Sequence, residues 1–389
     1  MKPRACIIRQ APYPQDQLVC REAETLRAAG FDVSVICLRS STAQAQEQIN
    51  GIHVYRLSVP NTKGHALSYI YKYLRFFILA AFKVTMLHLK RPFTVIQVNT
   101  MPDFLVFCTL IPRLLGARIT LVMYEPMPEL WATLYGNRWV VNLITIIQKW
   151  ALRYAHAIFA VTEQQKETFV ARGGQANKIT VILNAPETRL WEGMIPTART
   201  PHERFTLICH GAIEKRYGHD TMLEAIQRVK EQIPNLRLRI LGMGSYQNEF
   251  LAQVKAMGLE PWVEFLGWTP LPQMVEALYN ADVGIVAQKS SPYSNLVHTG
   301  KMYDYLSLGL PVLASRLRAV AAYFDEQSLY FFEPGDPESL AQGILDLYRH
   351  PEKCQALIEN SQRLYQQYRW EQQKQTYLSV YRNLLRDVQ

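Results

Sequence analysis

Residues 204–220 read Arg204-Phe-Thr-Leu-Ile-Cys-His210-Gly-Ala-Ile-Glu-Lys-Arg-Tyr-Gly218-His-Asp220. Arg204–His210 has the pattern of a short buried strand, Gly211–Gly218 is a glycine-bounded loop, and an amphipathic helix is expected over Asp220–Lys230. The same order opens the chain. Ala5–Arg9 is an isoleucine-rich strand, Ala11–Asp16 a Pro-containing loop, and a helical pattern runs through Leu26 to Gly30. After the first unit, strands are expected at Phe31–Leu38, Val95–Val98, Ile119–Met123 and Ala157–Val161. After the second they recur at Leu236–Leu241, Val263–Leu266, Val283–Ala287, Val312–Ala314 and Leu329–Phe332. Strands alternating with helices imply parallel βαβ construction. The expected fold class is therefore α/β, with two doubly wound Rossmann-like domains facing each other across a cleft. The expected boundaries are 1–185 and 204–369, joined by a proline-containing linker at 186–203 and followed by an amphipathic helix, 370–389, leaning back on the first domain.

Composition narrows the function classes. The chain has 389 residues, 49% of them hydrophobic and 19% charged, which suits a globular protein and not a disordered or disulfide-dependent scaffold. Six cysteines lie far apart with no Cys-x-x-Cys pair, so no structural metal is expected and a reducing, cytoplasmic setting is. The apolar run Phe76–Phe82 stops at Lys83, too short to span a bilayer. Charge is uneven: residues 1–200 hold 23 Lys/Arg against 12 Asp/Glu, and residues 51–100 hold seven basic residues and no acidic one. A stretch this basic, interleaved with Tyr71, Tyr73, Phe76 and Phe77, suits an anionic surface. No nucleic-acid recognition motif accompanies it, and nucleic acid is not an expected partner.

In open α/β sheets ligands bind beyond the carboxyl ends of the strands, so the strand-to-helix loops carry the chemistry. A helix starting near Thr299 or Gly300 and ending at Gly309 would aim its free amides at an anion, with Lys301 adding a point charge. Asp304, one turn further in, suits the vicinal diol of a ribose. Lys215 and Arg216, between Gly211 and Gly218, suit a diphosphate that gains charge as its bond to a sugar breaks. Gly242 and Gly244 form another tight turn there. The Gly-x-Gly-x-x-Gly pattern is absent and Arg9–Asp16 holds no glycine, which argues against a nicotinamide cofactor.

These residues resemble the retaining glycosyltransferases of family 4, which have the GT-B fold. The resemblance rests on His210–Gly218, Lys301–Ser315, the loop Asn99-Thr-Met-Pro-Asp103 and Glu125-Pro-Met-Pro-Glu129. It implies a nucleotide-diphosphate sugar in the second domain, with Asp304 on ribose and the first-loop cations on diphosphate. Relatives often carry an Asp-x-His-Asp run where this chain has Leu121-Val-Met-Tyr124-Glu125, so Tyr124 and Glu125 fall beside the donor sugar. A glutamate common eight residues before Asp304 is replaced here by Leu296.

The expected activity is transfer of a sugar, with retention, to a hydroxyl of a lipid-linked or polysaccharide acceptor. Arg216, Lys301, Tyr124 and Glu125 are the catalytic candidates, and Asp16, Asn99, Asp103 and Glu129 line the acceptor side. Asp16 and Asp103 are also placed to cap helices. No metal or other cofactor is expected. A nucleotide-sugar epimerase of the same architecture, or a non-catalytic nucleotide-sugar-binding homologue, is the alternative. A helix over His65–Arg91 is expected either to lie in the headgroups of an anionic membrane surface, on its inner face, or to pack its apolar residues against the sheet.

Overall fold

The computed structural model describes residues 2–40, 43–60, 66–187, 191, 193–198 and 204–386. The chain divides into two compact units, Met1–Asn184 with Gln373–Gln389, and Ala185–Gln372. The expected linker at 186–203 lies partly outside the described residues, and its described part groups with the second unit.

The first unit runs β1 (Arg4–Pro12), α1 (Gln17–Ala28), β2 (Asp32–Leu38), β3 (Gln46–Ile49), β4 (Ile52–Leu57), α2 (Ala66–Lys90) and β5 (Val95–Asn99). A 3₁₀ turn (Asp103–Thr109), α3 (Leu110–Leu114), β6 (Arg118–Met123), α4 (Met127–Tyr135), α5 (Arg138–Tyr154), β7 (Ala157–Ala160), α6 (Glu163–Ala171) and β8 (Ile179–Val181) follow. The strands form one sheet in the order β3-β4-β2-β1-β5-β6-β7-β8, parallel except for the β3–β4 hairpin. β1 sits centrally, with Ile7 opposite Val35 on one side and Gln97 on the other. Strands covered on both faces read as continuous apolar runs, and Ala5–Ile8 and Val33–Cys37 are buried throughout. One face is covered by α2 and α5, whose Phe76, Ala80, Val84, Ala151 and Leu152 pack with Ile8, Ile96 and Leu121.

The second unit runs β9 (Thr206–His210), α7 (His219–Val229), β10 (Arg237–Leu241), α8 (Gln247–Ala256), β11 (Val263–Gly267), α9 (Leu271–Tyr279), β12 (Val283–Val286) and α10 (Gly300–Ser307). It continues through β13 (Val312–Ser315), α11 (Arg318–Ala321), β14 (Tyr330–Phe332), α12 (Pro337–Arg349) and α13 (Pro351–Tyr365). Its six strands are parallel, in the order β11-β10-β9-β12-β13-β14. The order reverses at β9, so the loops after β9 and β12 flank a topological switch point. α7 shows why this register is fixed: Met222, Leu223, Ala225, Ile226 and Val229 are buried while Glu224, Gln227 and Arg228 are not.

A last helix, α14 (Trp370–Arg386), belongs to the first unit from Gln373 onward. Tyr377 Oη donates to Gln97 Oε1 at 2.7 Å, Tyr381 donates to the same oxygen, and Tyr377 packs on Phe159 at 5.1 Å between ring centres. The predicted end of this helix, beyond Arg386, lies outside the described residues, as does His65 at the expected start of α2.

Candidate functional site

In the second unit the loops after β9, β10 and β12 are tied together by their backbones. Gly211 N donates to Leu241 O, Ile213 N to Met243 O, and Lys289 N to Arg216 O, at 2.9, 3.1 and 2.9 Å. Gly242, at φ +128°, is needed here: a Cβ would stand 1.9 Å from Gly211 O, and at Gly244 one would stand 2.1 Å from Ile213 O. At Gly218, φ +68°, a Cβ would likewise stand 1.9 Å from Ala287 O. These glycines therefore have a packing role within the unit, one that holds the β9 loop in place.

The 3₁₀ turn Lys215–Tyr217 in that loop presents its charges unequally. Arg216 Cζ and Lys301 Nζ each lie 4.8 Å from the centre of the Tyr217 ring, so one aromatic face system holds two cations. Lys301 is buried, with its ammonium 3.5 Å from Cys209 Sγ and its Cε 3.6 Å from where a Gly211 Cβ would be. Arg216 Nη1 is 3.7 Å from Glu214 Oε2, and Glu214 is itself anchored by Ser245 Oγ at 2.6 Å. Lys215 does not join them. Its side chain is 68% exposed, 3.8 Å from Glu249 on the outer surface.

Thr299 precedes α10 in extended conformation without bonding the helix through its side chain, and Gly300 has open space where a Cβ would be. Asp304 Oδ2 lies 3.2 Å from His210 Nε2, out of hydrogen-bond alignment. The next residue, Tyr305, is buried, its hydroxyl accepting the His210 amide at 3.2 Å, and thus fixes the helix against β9. His219, the first residue of α7, is held neutral, its pKa pushed down to about 4 by burial and then by the Lys301 charge. His298 is likewise neutral, pushed to about 4 by burial, and bonds Tyr303 and Ala319 O inside the fold. It is a core histidine. Leu296 is buried, an apolar side chain where the resemblance implies a carboxylate. Asp282 accepts the Thr206 amide at 2.7 Å and so joins β9 to β12.

In the first unit, Asn99 and Tyr124 converge on a residue the sequence did not single out, Glu22 of α1. Its carboxylate accepts Gln97 Nε2 and Asn99 Nδ2 at 2.7 Å and Tyr124 Oη at 2.9 Å. Burial raises the Glu22 pKa although Arg21, Asn99 and Tyr124 oppose it. The Tyr124 hydroxyl is thus engaged inside the unit, while its ring carries the Arg9 guanidinium 5.0 Å from the ring centre. Arg9 in turn pairs with Asp16 at 3.0 Å. Asp16 also caps α1, accepting the Val19 amide at 3.3 Å, as an acidic helix start predicts. Glu125 is half-buried beside Tyr124.

The other two acceptor-side candidates sit apart from this cluster. Asp103 is not a helix cap, because Pro102 precedes the turn and no side-chain cap bond forms. The aspartate is instead buried, accepting Gln148 Nε2 at 3.0 Å, and burial pushes its pKa up to about 7. Gln148 and Glu129 are linked through Arg172, whose Nη1 donates to Glu129 Oε2 at 3.1 Å. Asp103 and Glu129 therefore belong to one internal network joining the 3₁₀ turn, α4, α5 and α6.

Residues 17–185 match the family described as "Glycosyl transferase 4-like domain" and residues 195–364 the family "Glycosyl transferases group 1". The chain is 23% identical over 287 residues to sulfoquinovosyl transferase SQD2 of Arabidopsis thaliana, covering 69% of this chain and 52% of that protein. It is 22% identical over 223 residues to the putative glycosyltransferase EpsD of Bacillus subtilis, covering 54% of this chain and 56% of that protein. The chain thus spans about half the length of these curated relatives. Among solved structures, sucrose-phosphate synthase from Thermosynechococcus elongatus superposes with a TM-score of 0.79 at 17% identity, covering 99% of this chain and 100% of that one. Anabaena HepE in complex with UDP-glucose gives 0.71 at 14% identity, covering 99% of each chain. With matches to both halves and this fold, the chain belongs to the GT-B glycosyltransferases, its first domain of the glycosyl transferase 4-like kind and its second of the group 1 kind.

Proposed function

We propose that the protein transfers a sugar from a nucleotide-diphosphate donor, with retained anomeric configuration, to a hydroxyl of a lipid-linked or polysaccharide acceptor, at the cytoplasmic face of a membrane. The observation that carries the reading is the pair of cations, Arg216 and Lys301, on the Tyr217 ring beside the N-terminus of α10. An anion there meets two fixed charges and the helix amides together.

In this reading the diphosphate lies against Arg216, Lys301, Thr299 and Gly300, and Asp304 accepts from the ribose diol. Gly211, Gly242 and Gly244 keep the loops close enough for the backbone to approach the donor. Lys215 steers the anion from outside. As the bond to the anomeric carbon breaks, negative charge grows on the diphosphate, and fixed cations stabilise it without reorganising. A front-face route follows: the leaving oxygen takes the acceptor hydroxyl's proton as that hydroxyl attacks, so no enzyme nucleophile is needed and configuration is retained.

Tyr124 is a positioning residue in this account, since its hydroxyl is held by Glu22 and Asn99. Glu125 is half-buried beside it. Asp16, which the Arg9 pair holds against α1, and Asn99 shape the acceptor side. Asp103 and Glu129 act there only through the helices they tie together.

HepE has been crystallised with UDP and with UDP-glucose, so uridine nucleotides are the first donors to try. Calorimetric titration with UDP-, ADP- and GDP-sugars tests the reading. Binding of one nucleotide sugar, weakened in Arg216→Ala and Lys301→Ala, supports it. Absence of binding by every one of them overturns it.

A further inference from the structure

α2, α3 and α5 form one helical layer. The 3₁₀ turn Asp103–Thr109 packs against α2 through Phe104 on Phe77 and against α5 through Phe107 on Tyr154, and Arg113 of α3 stacks over the same Tyr154. The inner side of the layer is core: Phe76, Ala80 and Val84 of α2 repeat every four residues against the sheet.

The outer side is apolar as well. On α2, Ile78 and Phe82 project opposite that stripe, Phe82 being 66% exposed; Leu114 stands out on α3. On α5, Trp139, Leu143, Ile146 and Trp150 recur at helical spacing on the solvent face, the two tryptophans 85% and 62% exposed. Apolar residues scattered singly are normal on a surface, whereas stripes on three neighbouring helices mark a surface that something covers.

Charge says what covers it. The three helices carry eight Lys/Arg and no Asp or Glu. Arg138, Lys149 and Arg153 are exposed beside the α5 stripe, and Lys72 and Arg75 are half-buried beside that of α2. A protein partner could match such a surface only with a patch at once apolar and acidic. A bilayer rich in acidic lipid offers both at every point, with tryptophan seated at the headgroup level. Among the described residues no helix is long and apolar enough to cross a membrane, so contact is with its surface.

We infer that the outer side of α2, α3 and α5 is the surface by which this protein docks on an anionic lipid bilayer, Trp139 and Trp150 entering the headgroup region. The inference deepens the proposed function, on which it rests for what docking serves, namely bringing the enzyme to a lipid-linked acceptor. The docking itself is read from the surface.

The test is co-sedimentation with vesicles of phosphatidylcholine alone and of phosphatidylcholine with equal phosphatidylglycerol, without donor or acceptor. Its failure leaves the transferase reading standing, and failure of donor binding leaves docking standing. Binding to the anionic vesicles at low salt is expected, roughly fivefold weaker for each of Lys149→Gln and Arg153→Gln, and lost in Trp139→Glu/Trp150→Glu. A thermal melt like that of the unchanged protein shows that the variants fold. Quenching of the unchanged protein's tryptophan fluorescence by brominated lipid needs no variant. Absence of vesicle binding, absence of quenching, or variants that bind as tightly as the unchanged protein each overturn the inference. A dimer in light scattering that the tryptophan variant converts to monomer also overturns it, in favour of a second copy of the chain.

Discussion

Lys301 Nζ lies 4.8 Å from the centre of the Tyr217 ring, and the Arg216 guanidinium lies at the same distance from that ring. The ring thus places both cations, and Glu214 Oε2 lies 3.7 Å from Arg216 Nη1. Arg216→Ala is therefore expected to lower turnover more than donor affinity, because the leaving charge peaks in the transition state, with Lys301→Ala similar but milder. Lys215→Ala, at an exposed position, should change turnover less than either. Steady-state kinetics of the three variants check this, and a rise in KM alone for Arg216→Ala and Lys301→Ala contradicts a role in leaving-group stabilisation.

Asp304 gives a more selective prediction. If it holds ribose, Asp304→Ala costs ~1.5–3 kcal/mol in nucleotide-sugar binding, the worth of a charge-assisted hydrogen bond. Inorganic pyrophosphate, which has no diol, should bind as before. Calorimetry with both ligands decides. Equal losses for the two would mean that Asp304 acts on the diphosphate pocket as a whole, through His210 3.2 Å away.

Gly242→Ala tests the loop packing. Its Cβ would stand 1.9 Å from Gly211 O at φ +128°, so backbone must move and a strained conformation must be held. A loss of about 1–3 kcal/mol in stability is expected from urea unfolding, with donor affinity reduced as the β9 loop shifts. Gly300→Ala, in open space, should leave stability nearly unchanged and is the control.

Asp103 predicts a pH dependence. Burial raises its pKa to about 7 from an unfolded value near 4, so the folded protein binds the extra proton between these limits. Its contribution to stability is complete below the unfolded value and falls as pH rises toward 7, by at most about 1.4 kcal/mol per pH unit. Asp103→Asn keeps an acceptor for Gln148 and cannot ionise. Urea melts between pH 5 and 8 should show the variant gaining on the unchanged protein as pH rises, and a constant difference would contradict the assignment.

The α/β alternation was legible because parallel strands covered on both faces must be apolar, and β1, β5, β9 and β13 are short runs of that kind. The β3–β4 hairpin escaped. β3 is exposed or half-exposed and reads as polar chain, yet Asn50-Gly51, both at positive φ, is the dipeptide such a two-residue turn demands. β8 has three residues, too few for any period. The placement of Arg216 in the β9 loop and of Lys301 and Asp304 at the start of α10 was readable because glycine-bounded loops and helix starts are set locally. Glu22 was not. An Arg-Glu pair on α1 looks solvated, and only the fold brings Gln97, Asn99 and Tyr124 around it. The cap reading of Asp103 failed for the same reason: its partner Gln148 is 45 residues away.

The most direct measurement is release of nucleoside diphosphate from a bound nucleotide sugar, followed with and without a lipid extract as acceptor. The account predicts release that depends on the acceptor, a glycosylated product of unchanged anomeric configuration, and loss of both in Arg216→Ala. Conversion of the donor to its epimer without acceptor, or tight donor binding with no release under either condition, would contradict it.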